Sequence, residues 1–499
     1  MDKPVPAERP NRHDLRIAAV ETGLLCGSGD DVISFRGIPY AAPPTGDLRW
    51  RPPQPAASWK GVRSAQTFGA DPPQAPTTRT RAERMDENCL TLNVWTPARR
   101  TSNKLPVMVW LYGGSFVAGS ASDPRCDGER FARKGVVVVS INYRIGVLGF
   151  LAHSALTAES EHGSSGNYGL LDTLAAMAWI KRNIDAFGGD PNRVTLFGVS
   201  AGGALISLLL TSGLSRGLFQ QTIQQSPGAF RPLATLQEAE AAGRKLGEDI
   251  TALRRMSSEE ILAKTPLLVP KQRGLTTPRV LRPIRDGWVI RSDERDAYGR
   301  GDILPLPSIV GTNADEGRKL TAAWDVTSSE ALDRLIDESF GRSAQRAREL
   351  YVGNTTQDAR VIVAAMFADT QFNDGARGVA RGLTAKGAPV YRYLLRRQRP
   401  GCGPPNHGDD VPYVFASLAA ASKLDAAPYD AVDEQLAETI QDAWVRFAGT
   451  GNPNGGDLPH WPVNDADERY LELDDEIRVG QGWRTPYLDF LDAYFASPG

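Results

Sequence analysis

The pattern Gly-x-Ser-x-Gly, which can hold a nucleophilic serine in a sharp turn, occurs twice in the chain. One copy spans residues 198–202 around Ser200, and the other spans residues 213–217 around Ser215. A catalytic turn of this kind needs a strand before the serine and a helix after it. The run RVTLF, typical of a strand, precedes Ser200, and the helical run ALISLLL follows it. Ser215 follows a helical pattern, so its glycines predict a C-cap and a loop, and Ser200 is the predicted nucleophile.

The elements that must position Ser200 alternate along the first half of the chain. Short apolar runs at 105–111 and 136–142 predict buried strands, because such runs suit a sheet that is covered on both faces. Residues 168–184 and 201–210 have helical patterns, and the segment FGGDPNR between them predicts a turn before the strand RVTLF. We therefore expect an α/β fold with a mostly parallel central sheet and helices on both faces.

The second half of the chain adds further strands and helical insertions. Strands are predicted at 307–310 and 389–395, and helical insertions at about 237–272 and 320–385. Because no internal repeat or linker separates these segments, we expect one catalytic domain over residues 1–499. The insertions are expected to cover the carboxyl edge of the sheet, where ligands bind in open α/β folds.

A serine hydroxyl is a weak nucleophile near neutral pH and needs a positioned base, which is almost always histidine. The chain has five histidines, and in α/β-hydrolases the order serine, acid, histidine leaves His407 and His460. His407 lies in a loop rich in proline and glycine after a predicted strand, whereas a surface or packing role is expected for His460. The loop after the preceding strand offers Asp315 and Glu316 as the acid, and spacing does not choose between them.

Acyl transfer from an ester also needs backbone N–H groups that bind the negatively charged oxygen of the intermediate. One such donor is usually the residue after the serine, which is Ala201 here. A glycine-rich turn after an earlier strand usually supplies the others, and the segment YGGSF at residues 112–116 follows the predicted strand 105–111. These two segments predict an oxyanion hole.

Composition excludes several other functions. The formal net charge is −2 over 499 residues, and no stripe of basic residues is present. The chain therefore lacks the positive electrostatic potential that attracts nucleic acid. The polar, proline-rich N-terminus lacks the apolar core of a secretory signal, and no apolar run reaches membrane-spanning length. Four scattered cysteines and no metal-binding motif give no support for disulfides or a metal. We expect a cytoplasmic protein that acts on a small-molecule ester with no cofactor, no nucleic-acid partner and no membrane partner.

Several longer segments resemble the type-B carboxylesterase/lipase family, which includes the para-nitrobenzyl esterases and the cholinesterases. They cover almost the whole chain and include FRGIPYAAPPTGDLRW at residues 35–50, ENCLTLNVW, SSGNYGLLD, FGGDPNRVTLFGVSAGG and WVRFAGTGNPN. The resemblance implies an α/β-hydrolase fold and a carboxylic-ester hydrolase in which Ser200 is the nucleophile, Glu316 the acid and His407 the base. It also implies that the oxyanion donors are Gly114, Ser115 and Ala201, and that Ser226 supports the acid. Two buried ion pairs are implied as well, Arg49 with Glu87 and Arg144 with Asp172.

The chain departs from the family pattern at several positions. Val199 stands where the family usually has glutamate, so a carboxylate is missing near the alcohol side of the pocket. Cys89 resembles half of a family disulfide, but the segment FGADPPQ lacks the partner cysteine. The loop at 75–88 lacks the tryptophan with which cholinesterases hold choline, and Arg318 and Lys319 follow DEG in place of aromatic residues. Cholinesterase activity is therefore disfavoured, since cation–π binding needs those rings.

The leading interpretation is hydrolysis of small to medium uncharged esters through an acyl-enzyme. Three alternatives stay open from the sequence. The same constellation could cleave aryl carbamates or amides, a lipase would act on long-chain esters at oil interfaces, and a non-catalytic relative would serve as a binding module. The intact set of catalytic residues favours the enzyme over the binding module. Monomer and dimer are both compatible with the sequence.

Overall fold

The computed structural model describes residues 15–98, 104–269, 274–353, 357–424 and 428–497. The strands in these ranges are β1 (Ile17–Val20), β2 (Gly23–Cys26), β3 (Val32–Pro39), β4 (Val62–Ser64), β5 (Thr91–Pro97), β6 (Leu105–Leu111), β7 (Val137–Ile141), β8 (Gly189–Val199), β9 (Gln221–Gln225), β10 (Ser308–Asn313), β11 (Val390–Leu395), β12 (Arg469–Leu473) and β13 (Arg478–Gln481). The α-helices are α1 (Glu129–Arg133), α2 (Gly146–Phe150), α3 (Ser154–Glu159), α4 (Tyr168–Asn183), α5 (Ala201–Thr211), α6 (Leu236–Gly243), α7 (Ile250–Arg255), α8 (Ser258–Lys264), α9 (Glu294–Arg300), α10 (Arg318–Thr321), α11 (Ser329–Phe340), α12 (Ala344–Tyr351), α13 (Ala359–Ala368), α14 (Asp374–Ala385), α15 (Val411–Val414), α16 (Leu418–Ser422), α17 (Ala431–Thr450) and α18 (Thr485–Ala496).

The central sheet has the strand order β13-β12-β11-β10-β9-β8-β6-β7-β5-β3. Its middle strands, from β12 to β7 in that order, pair in parallel, and antiparallel strands flank them on both sides. A separate small sheet has the order β1-β2-β4. The prediction of a mostly parallel central sheet in an α/β-hydrolase fold is confirmed.

Helices cover both faces of the sheet, as the continuous apolar runs predicted. Successive side chains of a strand point to opposite faces. Along β6, Val107 and Val109 belong to a hydrophobic cluster that includes α4 and α5. Met108 and Trp110 belong to a second cluster on the other face, which includes α1 and α17. This double coverage is why β6 has no polar side chains.

Helices occur in both segments that were predicted as insertions. Helices α6 to α8 fall within residues 236–264, and α10 to α14 fall within residues 318–385. A π-helical turn at Asp369–Asn373 joins α13 to α14. No helix in the described ranges is long and apolar enough to cross a membrane. The single domain over residues 1–499 stays a prediction.

The turn predicted for FGGDPNR is shorter than expected, because β8 already begins at Gly189. Only Gly188, with φ of 82°, has the left-handed backbone of a turn. Gly189 pairs with Leu105 of β6, and the N–H of Leu105 donates to the carbonyl of Gly188 at 2.8 Å. Pairing with β6 therefore outweighs the local preference of this polar segment for a turn.

Two buried ion pairs fix the loops around the sheet, as the resemblance implied. The guanidinium of Arg144 donates to both carboxylate oxygens of Asp172 at 2.7 Å each. Their side chains are only 4% and 0% exposed. Arg49 holds Glu87 in the same two-bonded manner, with its Nε 2.8 Å from Oε2. Cys89 is also buried nearby, and like Cys26, Cys126 and Cys402 it is a free thiol.

We expect Asp172→Asn to lower the free energy of unfolding by about 3 to 5 kcal/mol, because it leaves the buried Arg144 charge uncompensated. Glu129→Gln is the matched control, since Glu129 pairs with Arg133 on α1 where both side chains are about half exposed. That change should cost less than about 1 kcal/mol. Urea unfolding of the two variants beside the wild type measures both values. Equal costs for the two variants would contradict the structural role of the buried pair.

Candidate active site

Five neighbouring parallel strands end at one edge of the sheet and deliver the predicted site residues there. The carboxyl end of such a sheet is where ligands bind in open α/β folds. In sheet order, the strands and the residues that follow them are β6 with the turn 112–116, β8 with Ser200, β9 with Ser226, β10 with Glu316 and β11 with the loop that carries His407.

Ser200 occupies the sharp turn between β8 and α5, with φ of 57° and ψ of −116°. A left-handed backbone is strained for a non-glycine residue, and the structure around it must hold it in place. The N–H of Ser200 donates to the carbonyl of Gln225 at 2.9 Å. Side chains at Gly198 and Gly202 would lie 2.6 and 2.1 Å from the carbonyl oxygen of Leu111, so only glycine fits there. This geometry is that of a nucleophile elbow.

Ser215 has a different environment from Ser200. It lies in a short 3-10 turn after α5, and its side chain is buried. Its hydroxyl donates to the carbonyl oxygens of Leu209 and Ser212, the latter at 2.8 Å. The second Gly-x-Ser-x-Gly segment therefore forms a turn after a helix, as predicted, but the C-cap of α5 is Ser212 and not one of its glycines.

The structure selects Glu316 over Asp315 as the partner of His407. Oε2 of Glu316 lies 2.5 Å from Nδ1 of His407. Asp315 instead forms an ion pair with Arg318, at 2.9 Å. Glu316 is only 1% exposed, so its charge interacts with the histidine in a dry environment.

The other oxygen of Glu316 is held by two donors. Oε1 accepts from the hydroxyl of Ser226 and from the N–H of Asn313, each at 2.5 Å. These bonds satisfy the carboxylate and fix its plane toward His407. Ser226 thus lies where the resemblance placed it.

The second ring nitrogen of His407, Nε2, is not bound to Glu316. Nε2 is buried and has no hydrogen-bond partner among the described residues. A proton on Nδ1, donated to Glu316, leaves Nε2 with a free lone pair. His407 and Ser200 line the same cavity of about 340 Å³, together with Gly113, Trp110 and Val199. We call this space the histidine-side cavity.

The other histidines have structural positions or are exposed. Nδ1 of His153 accepts from the N–H of Ala155 at the start of α3. His162 stacks on Trp288 with ring centroids 3.7 Å apart. His460 is exposed, in agreement with its predicted surface role, and His13 lies outside the described residues.

The predicted oxyanion donors converge beside Ser200. Gly114 and Ser115 have positive φ values of 130° and 57°, which turn the backbone after β6. A side chain at Gly113 would lie 2.9 Å from Cβ of Ser200, so the turn passes close to the nucleophile. Within the described residues, the N–H groups of Gly114, Ser115 and Ala201 donate no hydrogen bond. Three unsatisfied donors beside a serine can bind a developing oxyanion.

Two residues beside this site were not identified in the sequence analysis. Phe372, in the π-helical turn, stacks on His407 with ring centroids 4.0 Å apart. Asp410 is buried three positions after His407 and accepts from Gln225 at 2.9 Å and Tyr393 at 2.7 Å. Burial raises the pKa of Asp410. The sequence HGDD could have drawn attention to Asp410, but nothing in the sequence connects Phe372 to the histidine.

A model of the carboxylesterase family matches residues 16–491. The chain belongs to the carboxylesterase family. The fumonisin B1 esterase of Sphingopyxis macrogoltabida is 44% identical to it over 470 residues, which cover 93% of this chain and 87% of that protein. The para-nitrobenzyl esterase of Bacillus subtilis (strain 168) is 34% identical over 481 residues, which cover 93% of this chain and 96% of that protein. A solved para-nitrobenzyl (PNB) esterase structure, 31% identical, superposes with a TM-score of 0.86 over 97% of this chain and 100% of that one.

This carboxylesterase is therefore a hydrolase of carboxylic esters, as the motifs predicted. The two relatives and the solved structure all span most of the chain, so the likeness covers the sheet and the insertions together. Within the described residues, no group of three or more His, Cys, Asp or Glu side chains is arranged to hold a metal ion.

Proposed function

We propose that this carboxylesterase cleaves esters by two-step acyl transfer, with Ser200 as the nucleophile, His407 as the base and Glu316 as the positioning acid. One observation carries the assignment. A histidine that is bonded through Nδ1 to a buried glutamate, and whose Nε2 has no partner among the described residues, lines the same cavity as the strained serine. This arrangement meets the requirements for activating a serine hydroxyl.

In the first step, Oγ of Ser200 attacks the ester carbonyl while Nε2 of His407 takes its proton. The carbonyl oxygen becomes negative and binds the N–H groups of Gly114, Ser115 and Ala201. The C–O bond to the alcohol then breaks, and His407 returns the proton to the leaving alkoxide. Water then attacks the acyl-enzyme in the same way, with His407 again as the base, and the carboxylic acid is released.

The alcohol portion of the substrate is proposed to be uncharged and small to medium in size. Because His407 protonates the leaving alcohol, that group must occupy the histidine-side cavity, whose volume of about 340 Å³ limits its size. Val199 supplies an apolar wall there in place of the carboxylate that would attract a cation. Trp110 also lines the cavity.

We expect Val199→Glu to raise kcat/KM for a cationic ester by about tenfold relative to a neutral ester of the same shape, because a carboxylate attracts a cation in a partly desolvated cavity. Choline and 3,3-dimethylbutyl esters of one acid form such a pair. Val199→Gln is the control, since it adds similar bulk without charge. An unchanged ratio in Val199→Glu would contradict the proposed position of Val199 beside the alcohol.

A substrate panel with active-site labelling tests the function as a whole. The panel contains para-nitrobenzyl esters, fumonisin B1, an aryl carbamate, an aryl amide and a long-chain ester emulsion, and an organophosphate is used to trap the nucleophile. We expect turnover of esters and a phosphoryl adduct on Ser200 in mass spectra of tryptic peptides. Preference for the carbamate, the amide or the emulsion would favour the corresponding alternative. No turnover and no adduct would favour a binding module.

A further inference from the structure

The turn that carries two of the proposed oxyanion donors folds back on itself at Gly119. The carbonyl oxygen of Gly114 accepts from the N–H groups of Val117 and Ala118 at 3.0 Å each. A side chain at Gly119, where φ is 126°, would lie 2.5 Å from the carbonyl oxygen of Gly113. Gly119 is therefore packed directly against the start of the turn. Because the two ends of the turn touch, the position of Gly119 helps to set the direction of the N–H groups between them.

The side-chain amide of Gln74 holds Gly119 through two hydrogen bonds. Oε1 of Gln74 accepts from the N–H of Gly119, and Nε2 donates to the carbonyl oxygen of Gly119, both at 2.8 Å. Gln74 is only 6% exposed, so water competes little for these bonds. The amide thus pairs with both backbone groups of one residue, as a neighbouring strand would.

A buried carboxylate supports the segment that carries Gln74. Asp71, three positions earlier, is 1% exposed and accepts from the hydroxyl of Ser120, the residue after Gly119. The N–H of Asp71 donates to the carbonyl oxygen of Arg84 at 3.0 Å. The segment is therefore bonded both to the turn and to a second part of the chain, so that Gln74 holds Gly119 from a fixed position.

Gln74 acts on the site through the backbone and not through the substrate. It lines the histidine-side cavity together with Ser200 and the turn. However, a glutamine Nε2 has two protons, and Nε2 of Gln74 already donates to the carbonyl oxygens of Pro72, at 3.0 Å, and Gly119. No donor of this amide is left for an ester, so any effect on catalysis has to pass through Gly119.

We propose that Gln74 is a positioning residue for ester hydrolysis, whose amide holds Gly119 so that the N–H groups of Gly114 and Ser115 stay in place beside Ser200. The inference rests on the proposed function, since it needs an oxyanion to form at Ser200. Donors that are already in place stabilise the developing charge without reorganisation during the reaction. Without the amide the turn relaxes, and the donors have to be reordered in both acyl-transfer steps.

Two variants of Gln74 test the proposal. Gln74→Met keeps the length of the side chain without its hydrogen bonds, and Gln74→Asn keeps the amide but is one carbon too short to reach Gly119. We expect each to lower kcat for a para-nitrobenzyl ester by about ten- to a hundredfold, because outright loss of one oxyanion donor costs about a hundred- to a thousandfold. KM should change by less than about threefold, since the interaction is made in the transition state. The asparagine variant stays polar and serves if the methionine variant does not fold.

Gln54 provides a matched control in the same tripeptide. The sequence Pro-Pro-Gln occurs at residues 52–54 and at residues 72–74. In each copy, Nε2 of the glutamine donates to the carbonyl oxygen of the first proline at 3.0 Å. Gln54 is exposed, so Gln54→Met should change kcat by less than about twofold.

A pair of inhibitors separates positioning from a general structural role. A trifluoromethyl ketone is attacked by Oγ of Ser200, whose proton passes to His407, and the carbonyl oxygen becomes an oxyanion. The methyl ketone of the same chain binds largely without this addition. In Gln74→Met we expect Ki for the trifluoromethyl ketone to rise by about the factor by which kcat falls. Ki for the methyl ketone should change by less than about threefold, whereas general damage to the site would weaken both ketones equally.

The outcomes separate this inference from the proposed function. Wild-type kcat in both Gln74 variants, or equal weakening of the two ketones, would overturn the positioning role and leave Ser200 catalysis intact. A loss of kcat in Gln54→Met as large as that in Gln74→Met would overturn it as well. No turnover by the wild type, with no organophosphate adduct on Ser200, would overturn the proposed function and this inference together.

Discussion

Replacement of Ser200 by alanine is expected to lower kcat for ester hydrolysis by about 10⁵- to 10⁶-fold, because no other side chain can form the acyl-enzyme. The residual rate would come from the oxyanion donors and from substrate binding, which the substitution leaves in place. KM should change little for the same reason. Initial rates with a para-nitrobenzyl ester at high enzyme concentration measure the loss.

Ser215→Ala provides an internal control, since it changes the same motif elsewhere in the chain. Its hydroxyl is bonded to two carbonyl oxygens at the end of α5, so the variant should lose about 1 kcal/mol of stability and keep full activity. The organophosphate adduct should disappear from Ser200→Ala and persist in Ser215→Ala. A large loss of kcat in Ser215→Ala, or near-normal turnover by Ser200→Ala, would refute the assignment of the nucleophile.

Replacement of Glu316 by glutamine is expected to lower kcat by about 10³- to 10⁴-fold. In the wild type, the carboxylate accepts the Nδ1 proton of His407, so that Nε2 can accept the proton of Ser200. A glutamine amide can donate to Nδ1 and hold the proton on Nε2, which is the wrong tautomer for a base. The buried charge also stabilises the imidazolium formed after proton transfer, and the neutral amide removes that interaction.

Asp315→Asn is the matched control for Glu316→Gln, because the two acids are adjacent in the chain and only one contacts the histidine. Asp315 pairs with Arg318, half of whose side chain is exposed, so its neutralisation should change kcat by less than about twofold. Thermal unfolding of both variants checks that each is folded at the assay temperature. The reverse pattern, with the larger loss in Asp315→Asn, would exchange the roles of the two acids.

The sequence alone was sufficient to predict the features that depend on residues close together in the chain. The strand, turn and helix around Ser200 are local, and the glycines at 198 and 202 are needed because any side chain there would collide with the backbone of β6. Short continuous apolar runs between helical segments were sufficient to predict the parallel sheet, since a strand buried on both faces must be apolar throughout. The order of serine, acid and histidine along the chain then reduced five histidines to two.

Only the tertiary structure decided the features that depend on contacts between distant segments. The spacing of the residues left Asp315 and Glu316 equivalent, because both follow β10 and the side-chain direction is set by bonds to Ser226 and Asn313. The start of β8 was misjudged because pairing with β6 is not visible in the local sequence. The burial of a side chain, its direction and its distance from other side chains depend on how distant segments pack together. Residue types and their periodicity, in contrast, are already present in the sequence.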